Sequence, residues 1–374
     1  MNGGAEPLAL SSRSRIYRTL YNTRSFCSKQ TLSKSCSISM PTVYQNLREL
    51  IEDGLVRYTG EEMSTGGRKA QGLDIVPDAR FSIGVAVNKK MLRLVAANLR
   101  LQELAYQELR ADLLSARAED SSRLAEVLET FLDDNQLDRS RLLGVAITLP
   151  GLLSPDRSLL LAAPTLGLRN VPLDMLTRDI PYPFLVENDG SACGFAECFV
   201  RGAQENLAYI SLEAGVGGAV LINGNPYTGD RGQSGEFGHI CVEPGGLRCN
   251  CGRNGCLEAY CSISRIEKTF GISVDAFFDG VAAHVPDYEA LLFDMLRHLA
   301  VAVNDIHLVL NCKVIVGGHL SEYLQPYLPI LKEYVLAGSP FTENAAFVQL
   351  SKLRHHIAPL GAALYHVRDF VNRV

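Results

Sequence analysis

The sequence predicts an α/β protein, with a small winged helix-turn-helix at its N-terminus and a larger body of alternating strands and helices. Three observations carry this. Residues 1–48 hold seven basic side chains (Arg13, Arg15, Arg18, Arg24, Lys29, Lys34 and Arg48) against one acid, Glu6; that is a net +6, and the other 326 residues carry −11. Residues 10–76 read as three short helices and two strands about a glycine-rich basic tip. From Phe81 the texture changes to apolar runs of strand length separated by amphipathic stretches.

In the head, Ile16 and Leu20 stand four apart within residues 12–22, with arginines on the other face. Ser28 is a candidate N-cap for a second helix over 28–36. After a turn at Ser37-Ile38, Ser39 caps a third helix, with Pro41 in its first turn, where a missing N–H costs nothing. Val43, Leu47, Leu50 and Ile51 form its apolar stripe, and Gly54 ends it. Strands at 55–58 and 72–76 flank Gly66-Gly67-Arg68-Lys69 as a wing. In such a layout the third helix enters the major groove. Ser39, Thr42, Gln45 and Asn46 are the candidate base contacts, since Gln and Asn amides match adenine. Arg68 is placed to enter a narrow minor groove. A helical hairpin used for protein contacts is the alternative.

Pro77-Asp78 marks the expected boundary, so the head spans 10–76 and the body 80–374. The body begins with a strand pair, FSIGVAV and LRLVAANLR, and an amphipathic helix around Leu124, Val127, Leu128 and Phe131. LLGVAITLPGLL is a buried strand entering a Pro-Gly turn, and PFLVEND is a strand ending in polar residues. LAYISLEAGVGGAVLING reads as a strand hairpin, and CKVIVGGHL repeats the strand-into-glycine pattern.

At 374 residues the chain has length for two or three domains, and with 47% hydrophobic residues it can bury a large core. The formal charge of −5 excludes a uniformly basic nucleic-acid coat protein, though not a local basic patch. Neither a transmembrane run nor a secretory leader is recognisable, which predicts a cytoplasmic protein without a membrane partner. There the ten cysteines do not form a disulfide framework. Cys27, Cys36, Cys193, Cys198, Cys241, Cys261 and Cys312 are scattered and read as small apolar residues. Cys249, Cys251 and Cys256 crowd together.

With His239 upstream, those three thiols make the ligand set zinc prefers. Four such ligands close a tetrahedron, so the predicted Zn²⁺ is structural; unpaired loop thiols are the alternative. The carboxylates of Glu187-Asn188-Asp189 end a strand, where α/β folds bind ligands. Asp189 is placed either to take a proton from a hydroxyl, to bond that hydroxyl, or to begin a helix. Glu236 lies beside His239 and Glu258 just after Cys256, so the metal loop would position both. Pro150-Gly151 offers backbone N–H groups at a strand end.

In this order the pieces resemble the ROK family, named for repressors, open reading frames and kinases. LPG at 149–151, END at 187–189, GEFGH at 235–239, CNCGRNGCLE at 249–258 and VGGHL at 316–320 look like its successive signatures, over nearly the whole chain. An N-terminal winged helix is similar to the family's repressor branch, which includes xylose and N-acetylglucosamine regulators. The resemblance implies a two-lobed, actin-like sugar-kinase fold, with lobes at 80–190 plus the C-terminal helix and at 191–355. It implies sugar contacts from Gly151, Asn188, Asp189, Glu236, His239 and Glu258; since helix-turn-helix proteins commonly use two half-sites, a homodimer or dimer of dimers on operator DNA is expected.

Two departures separate this chain from the family's kinases. Where they carry an Asp-x-Gly-Gly-Thr phosphate loop, this chain has Ala86-Val87-Asn88-Lys89-Lys90. Where they carry Gly-Thr-Gly-Val-Gly-Gly, it has Glu213-Ala214-Gly215-Val216-Gly217-Gly218. Glu213 would repel a nucleotide phosphate. The expectation is a sugar-responsive transcriptional repressor that is not an enzyme; a sugar kinase, with Asp189 as base, is the alternative. Thr165 and Leu168 stand where members often have Asn and Trp, which argues against an N-acetylhexosamine ligand.

Overall fold

The computed structural model describes residues 11–23, 25–63, 70–88, 91–110, 120–164, 166–202, 205–341 and 344–374. The head has helices α1 (Ser12–Asn22), α2 (Lys29–Cys36) and α3 (Met40–Glu52). Each starts on a serine: the Ser11, Ser28 and Ser39 hydroxyls accept from the N–H groups of Ser14, Thr31 and Thr42. These caps satisfy amides that the first helical turn leaves free. Ile16, Leu20, Leu32, Val43, Leu47 and Leu50 close the core between the helices. Strands β1 (Val56–Met63) and β2 (Ala70–Ile75) pair antiparallel, with Val56 opposite Ile75. The tip with Arg68 lies outside the described residues.

The body is built twice on one plan. Strands β3 (Phe81–Val87), β4 (Met91–Asn98) and β5 (Glu103–Arg110) form an antiparallel meander. After helix α4 (Asp120–Asp134), strand β6 (Leu142–Leu149) joins β3 in parallel. A small sheet of β7 (Leu152–Leu153), β8 (Leu159–Ala163) and β9 (Leu168–Pro172) and the short helix α5 (Asp174–Thr177) follow. Strand β10 (Phe184–Asn188) completes the order β10-β6-β3-β4-β5. Helix α6 (Asp189–Arg201) leads to the second sheet.

There β11 (Leu207–Leu212), β12 (Val216–Ile222) and β13 (Asn225–Tyr227) form the meander. Helices α7 (Leu257–Cys261), α8 (Ile263–Phe270), α9 (Val274–Ala282) and α10 (Pro286–Leu310) intervene before the parallel strand β14 (Lys313–Gly317). Helix α11 (Leu328–Gly338) leads to β15 (Val348–Leu350), and the order is β13-β12-β11-β14-β15. From the outer parallel strand inward, both sheets have the same sequence of connections. This duplicated sheet pair is the actin-like, two-lobed arrangement.

Helix α12 (Ile357–Arg373) holds the two halves together. Glycines let it approach at two places. A Cβ on Gly84 of β3 would overlap the Pro359 carbonyl, and one on Gly361 would overlap the Ala192 carbonyl of α6.

The same helix receives the head. Tyr17 meets Phe370 edge-on, with ring centroids 6.1 Å apart, and the Ser14 hydroxyl donates to the Val374 carbonyl at 2.7 Å. Arg100 pairs with Asp74 at 2.7 Å and also donates to the Leu20 and Tyr21 carbonyls. One apolar cluster runs from Ile16, Tyr17 and Leu20 to Cys198, Leu364, Val367 and Val371. Burial of this size resists independent movement of head and body.

Candidate functional site

The cysteine loop starts at a single helical turn, Phe237–His239, and ends at Cys256, the residue before α7. Gly252 and Gly255, at φ 95° and 82°, supply the left-handed turns that fold it back. The Cys249 N–H donates to Arg253 O at 2.8 Å, and the Val242 N–H to Gly255 O at 2.8 Å. His239, Cys249, Cys251 and Cys256 thereby offer four ligand atoms within 4.8 Å of one another.

A zinc tetrahedron requires thiolate sulfurs about 3.8 Å apart and sulfur–imidazole edges of about 3.6 Å. The Cys251 and Cys256 sulfurs are 3.7 Å apart, and His239 Nδ1 is 3.9 Å from the Cys249 sulfur. The donor set and spacing fit a metal ion of this kind. His239 turns its other nitrogen, Nε2, toward Glu236 Oε2 at 3.9 Å. The imidazole therefore stands between the Cys249 sulfur and the Glu236 carboxylate.

The remaining predicted residues fall into two groups on either side of β12. In the first, Asn188 caps α6 by accepting from the Ser191 N–H at 3.0 Å, and its amide donates to the Gly151 carbonyl at 2.9 Å. Gly151 sits at φ 115°, and a Cβ there would overlap the Ala162 carbonyl and Ala163, so the position leaves no space for a side chain. Asp189 follows in the first turn of α6. In the second group, Glu258 Oε2 accepts from the Val216 N–H at 3.2 Å, while its other oxygen lies 3.6 Å from the Cys249 sulfur. Gly218 of β12 joins the groups, since Gly190 packs against it from one side and Gly235 from the other.

Electrostatics agree with this convergence. Burial pushes the Asp189 carboxyl up to about 7, and the negative charges of Glu213 and Glu236 push it further in the same direction. The Gly190 N–H, which donates to Asp189 at 2.8 Å, opposes the shift without overcoming it. Burial also raises Glu236 and Glu213. Three carboxyl groups thus influence one another across one site, the Glu213 and Glu236 side chains being exposed, and a polyol would supply hydrogen-bond donors to them. Glu187 of the same run is instead buried and takes two hydrogen bonds from Arg157, at 2.7 and 2.8 Å.

The two kinase-loop positions have distinct surroundings. Asn88 and Met91 close a hairpin, the Asn88 N–H donating to Met91 O at 2.9 Å; Lys89 and Lys90 between them lie outside the described residues, as does Thr165. Glu213 receives the His319 N–H at 2.8 Å. A backbone amide facing the second loop is therefore already bonded to a carboxylate.

On α3, Gln45 is exposed and Thr42 and Asn46 are partly so. The Ser39 hydroxyl is engaged as the helix cap and also lies 2.8 Å from the Thr42 hydroxyl. The Asn46 amide donates to Thr42 O at 2.8 Å along the helix. Tyr44 joins this face without having been expected there: it is 54% exposed beside Gln45, with the Lys29 ammonium 4.5 Å from its ring centroid. Its place outside the Val43–Leu47–Leu50 stripe was the signal available.

Residues 83–368 match the model of the ROK family. The chain belongs to the ROK family. The DNA-binding transcriptional dual regulator NagC of Escherichia coli K12 is 26% identical over 93% of this chain and 90% of its own length. A share of that size cannot be reached without part of the head. A glucokinase of Halalkalibacterium halodurans is 28% identical over 66% of this chain and 74% of its own length. Among solved structures, a ROK family transcriptional regulator, itself a homologue of the Escherichia coli Mlc protein, superposes with a TM-score of 0.75 at 23% identity. That superposition covers 96% of each chain. This ROK protein therefore shares its fold, head included, with a regulator.

Proposed function

We propose that this ROK protein is a sugar-responsive transcriptional repressor that binds operator DNA through residues 10–76 and a sugar or sugar phosphate through the body at 80–374. The supporting observation is the packing of a helix-turn-helix head directly on α12, the helix that joins the two halves of the body. Sugar closing the cleft between the lobes (80–190 with α12, and 191–355) moves α12 and with it the head. The ligand then favours the arrangement that does not fit DNA, which requires tighter binding to that arrangement. Gly151, Asn188, Asp189, Glu236, His239 and Glu258 hold the sugar. Ser39, Thr42, Gln45 and Asn46, with Arg68, contact the operator. One structural Zn²⁺ on His239, Cys249, Cys251 and Cys256 holds Glu236 and Glu258 in register.

The protein acts in the cytoplasm as a homodimer or a dimer of dimers, because helix-turn-helix proteins read paired half-sites. Val301 and Leu308, seven apart on the solvent side of α10, and Val309, 81% exposed, form an apolar surface suited to a second copy. Among the described residues no helix is long and apolar enough to cross a membrane.

The test is selection of duplexes from random DNA by the full chain. Titration of the selected duplex with free and phosphorylated pentoses, hexoses and N-acetylhexosamines then follows. Release by one sugar is the expected result; failure to select any duplex, or equal operator affinity with every sugar, overturns the reading. A sugar kinase is the second reading, favoured by the raised pKa of Asp189, which suits a general base. ATP turnover with any of these sugars would establish it, and the carboxylate at Glu213 predicts none.

A further inference from the structure

A cavity of about 460 Å³ is bounded by both head and body. Its walls are Arg18, Tyr21 and Asn22 of α1, Phe195 and Phe199 of α6, the turn Asn223–Asn225, and Leu364, Arg368 and Asn372 of α12. This volume lies in the range of small-molecule sites. Two features of the lining define what would fit it.

The first is charge. Among the described residues, two arginines face the cavity and no carboxylate lines it. Arg368 donates to the neutral amide oxygen of Asn225 at 2.7 Å and lies 4.3 Å from the Phe195 ring centroid. Burial pulls its pKa down, so its charge is poorly hydrated as well as unpaired. Among the described residues no carboxylate oxygen lies within ion-pair distance of Arg18 or Arg368, although Arg13, Arg48, Arg100 and Arg373 all have one. A guanidinium fork left without an acid is a ready receptor for a carboxylate or phosphate.

The second is the division of walls. Phe195, Phe199 and Leu364 make an apolar side, while Asn22, Asn223, Asn225 and Asn372 bring amides to the rim. One arginine comes from the head and the other from α12. An anion between them would tie head to body.

We propose that this crevice is a second, regulatory site for a small organic anion, a carboxylate or phosphate monoester with a compact apolar body. Its effect on operator binding rests on the repressor reading above; its existence as a binding site does not.

The experiment titrates the full chain with inorganic phosphate and with phenyl phosphate, by calorimetry, at fixed ionic strength. Phenyl phosphate is expected to bind about tenfold more tightly than inorganic phosphate, because its ring reaches the Phe195–Phe199 wall. Arg18→Gln and Arg368→Gln should each weaken it at least tenfold. Arg368→Lys should restore part of the loss. Asn372→Asp, an exposed change that adds a negative charge to the rim, should weaken it without unfolding the chain. Glu236→Gln, in the cleft, should leave it unchanged. Absence of saturable binding by both anions, or binding insensitive to Arg18→Gln and Asn372→Asp, overturns the site. In a second arm, phenyl phosphate should change the affinity of the selected duplex by the same factor by which duplex changes that of phenyl phosphate. Binding of the anion with an unchanged duplex affinity overturns the regulatory role. Failure to select a duplex at all removes the repressor reading and leaves the anion titration standing on its own.

Discussion

The carboxylate of Glu213 accepts the backbone N–H of His319 across 2.8 Å, joining the β11–β12 turn to the glycine turn after β14. Phosphate loops work by leaving such amides free to face an anion. Here the donor is taken, and the acceptor carries a charge of the wrong sign. Wild-type protein is expected to show no thermal shift with Mg-ATP. Glu213→Thr removes the charge and frees the amide, so it should gain weak, measurable nucleotide affinity. Saturable ATP binding by the wild type, unimproved in the variant, would contradict this account of the loop.

Cys251 and Cys256 stand 3.7 Å apart, a separation that two protonated thiols gain little from and two zinc ligands require. Freshly purified protein should contain one zinc per chain by elemental analysis. Cys251→Ser should lower that content and, because metal binding and folding of the loop are linked, increase hydrogen exchange between residues 239 and 258. The same variant should bind sugar more weakly, since His239 and Glu258 contact the loop directly. Metal-free wild type with normal exchange protection in this loop would remove the assignment.

The helices of the head were legible in the sequence almost to the residue, because capping and stripe are local, whereas the wing strands run longer, at 56–63 and 70–75, than the 55–58 and 72–76 read from the sequence. Ser28 and Ser39 announce two of the three helix starts through chemistry that acts over three residues; the Ser11 cap of the first helix was not singled out. The His239–Cys249–Cys251–Cys256 cluster was legible for a similar reason: three of its four members lie within eight residues. Strand β5 was not, since its exposed, charged face hides the alternation of Ala105 with its neighbours. Nor was the pairing of Glu187 with Arg157, or of Glu213 with His319, since these contacts span 30 and 106 positions. The duplicated sheet order is invisible to periodicity, because it resides in which strands meet and not in how each one alternates.

Asp189 gives the cleft a pH signature in the absence of ligand. Its carboxyl titrates near 3.8 in an unfolded chain and is pushed up to about 7 in the folded one. Between those values the folded protein binds more protons than the unfolded, so stability falls as pH rises, and above about 7 the loss is complete. Asp189→Asn lacks this term. Its stability relative to wild type should therefore rise from pH 5 to pH 7 and level off by pH 8, as measured by urea midpoints. A difference that stays constant over that range would show that burial in the cleft does not set this pKa.

Tyr17 is fully buried between head and body, and among the described residues its hydroxyl has no hydrogen-bond partner. Its ring packs on Phe370, so the apolar part of the side chain stabilises the junction while the hydroxyl is a desolvated burden. Tyr17→Phe keeps the ring and should stabilise the protein by about 1 kcal/mol. Tyr17→Ala removes the ring and should cost about 3–5 kcal/mol. The cost falls on the contact between α1 and α12, so calorimetry of Tyr17→Ala should resolve a separate, earlier transition for the head. A single cooperative transition in that variant would mean that Arg100, through Asp74 and the Leu20 and Tyr21 carbonyls, suffices to couple head to body.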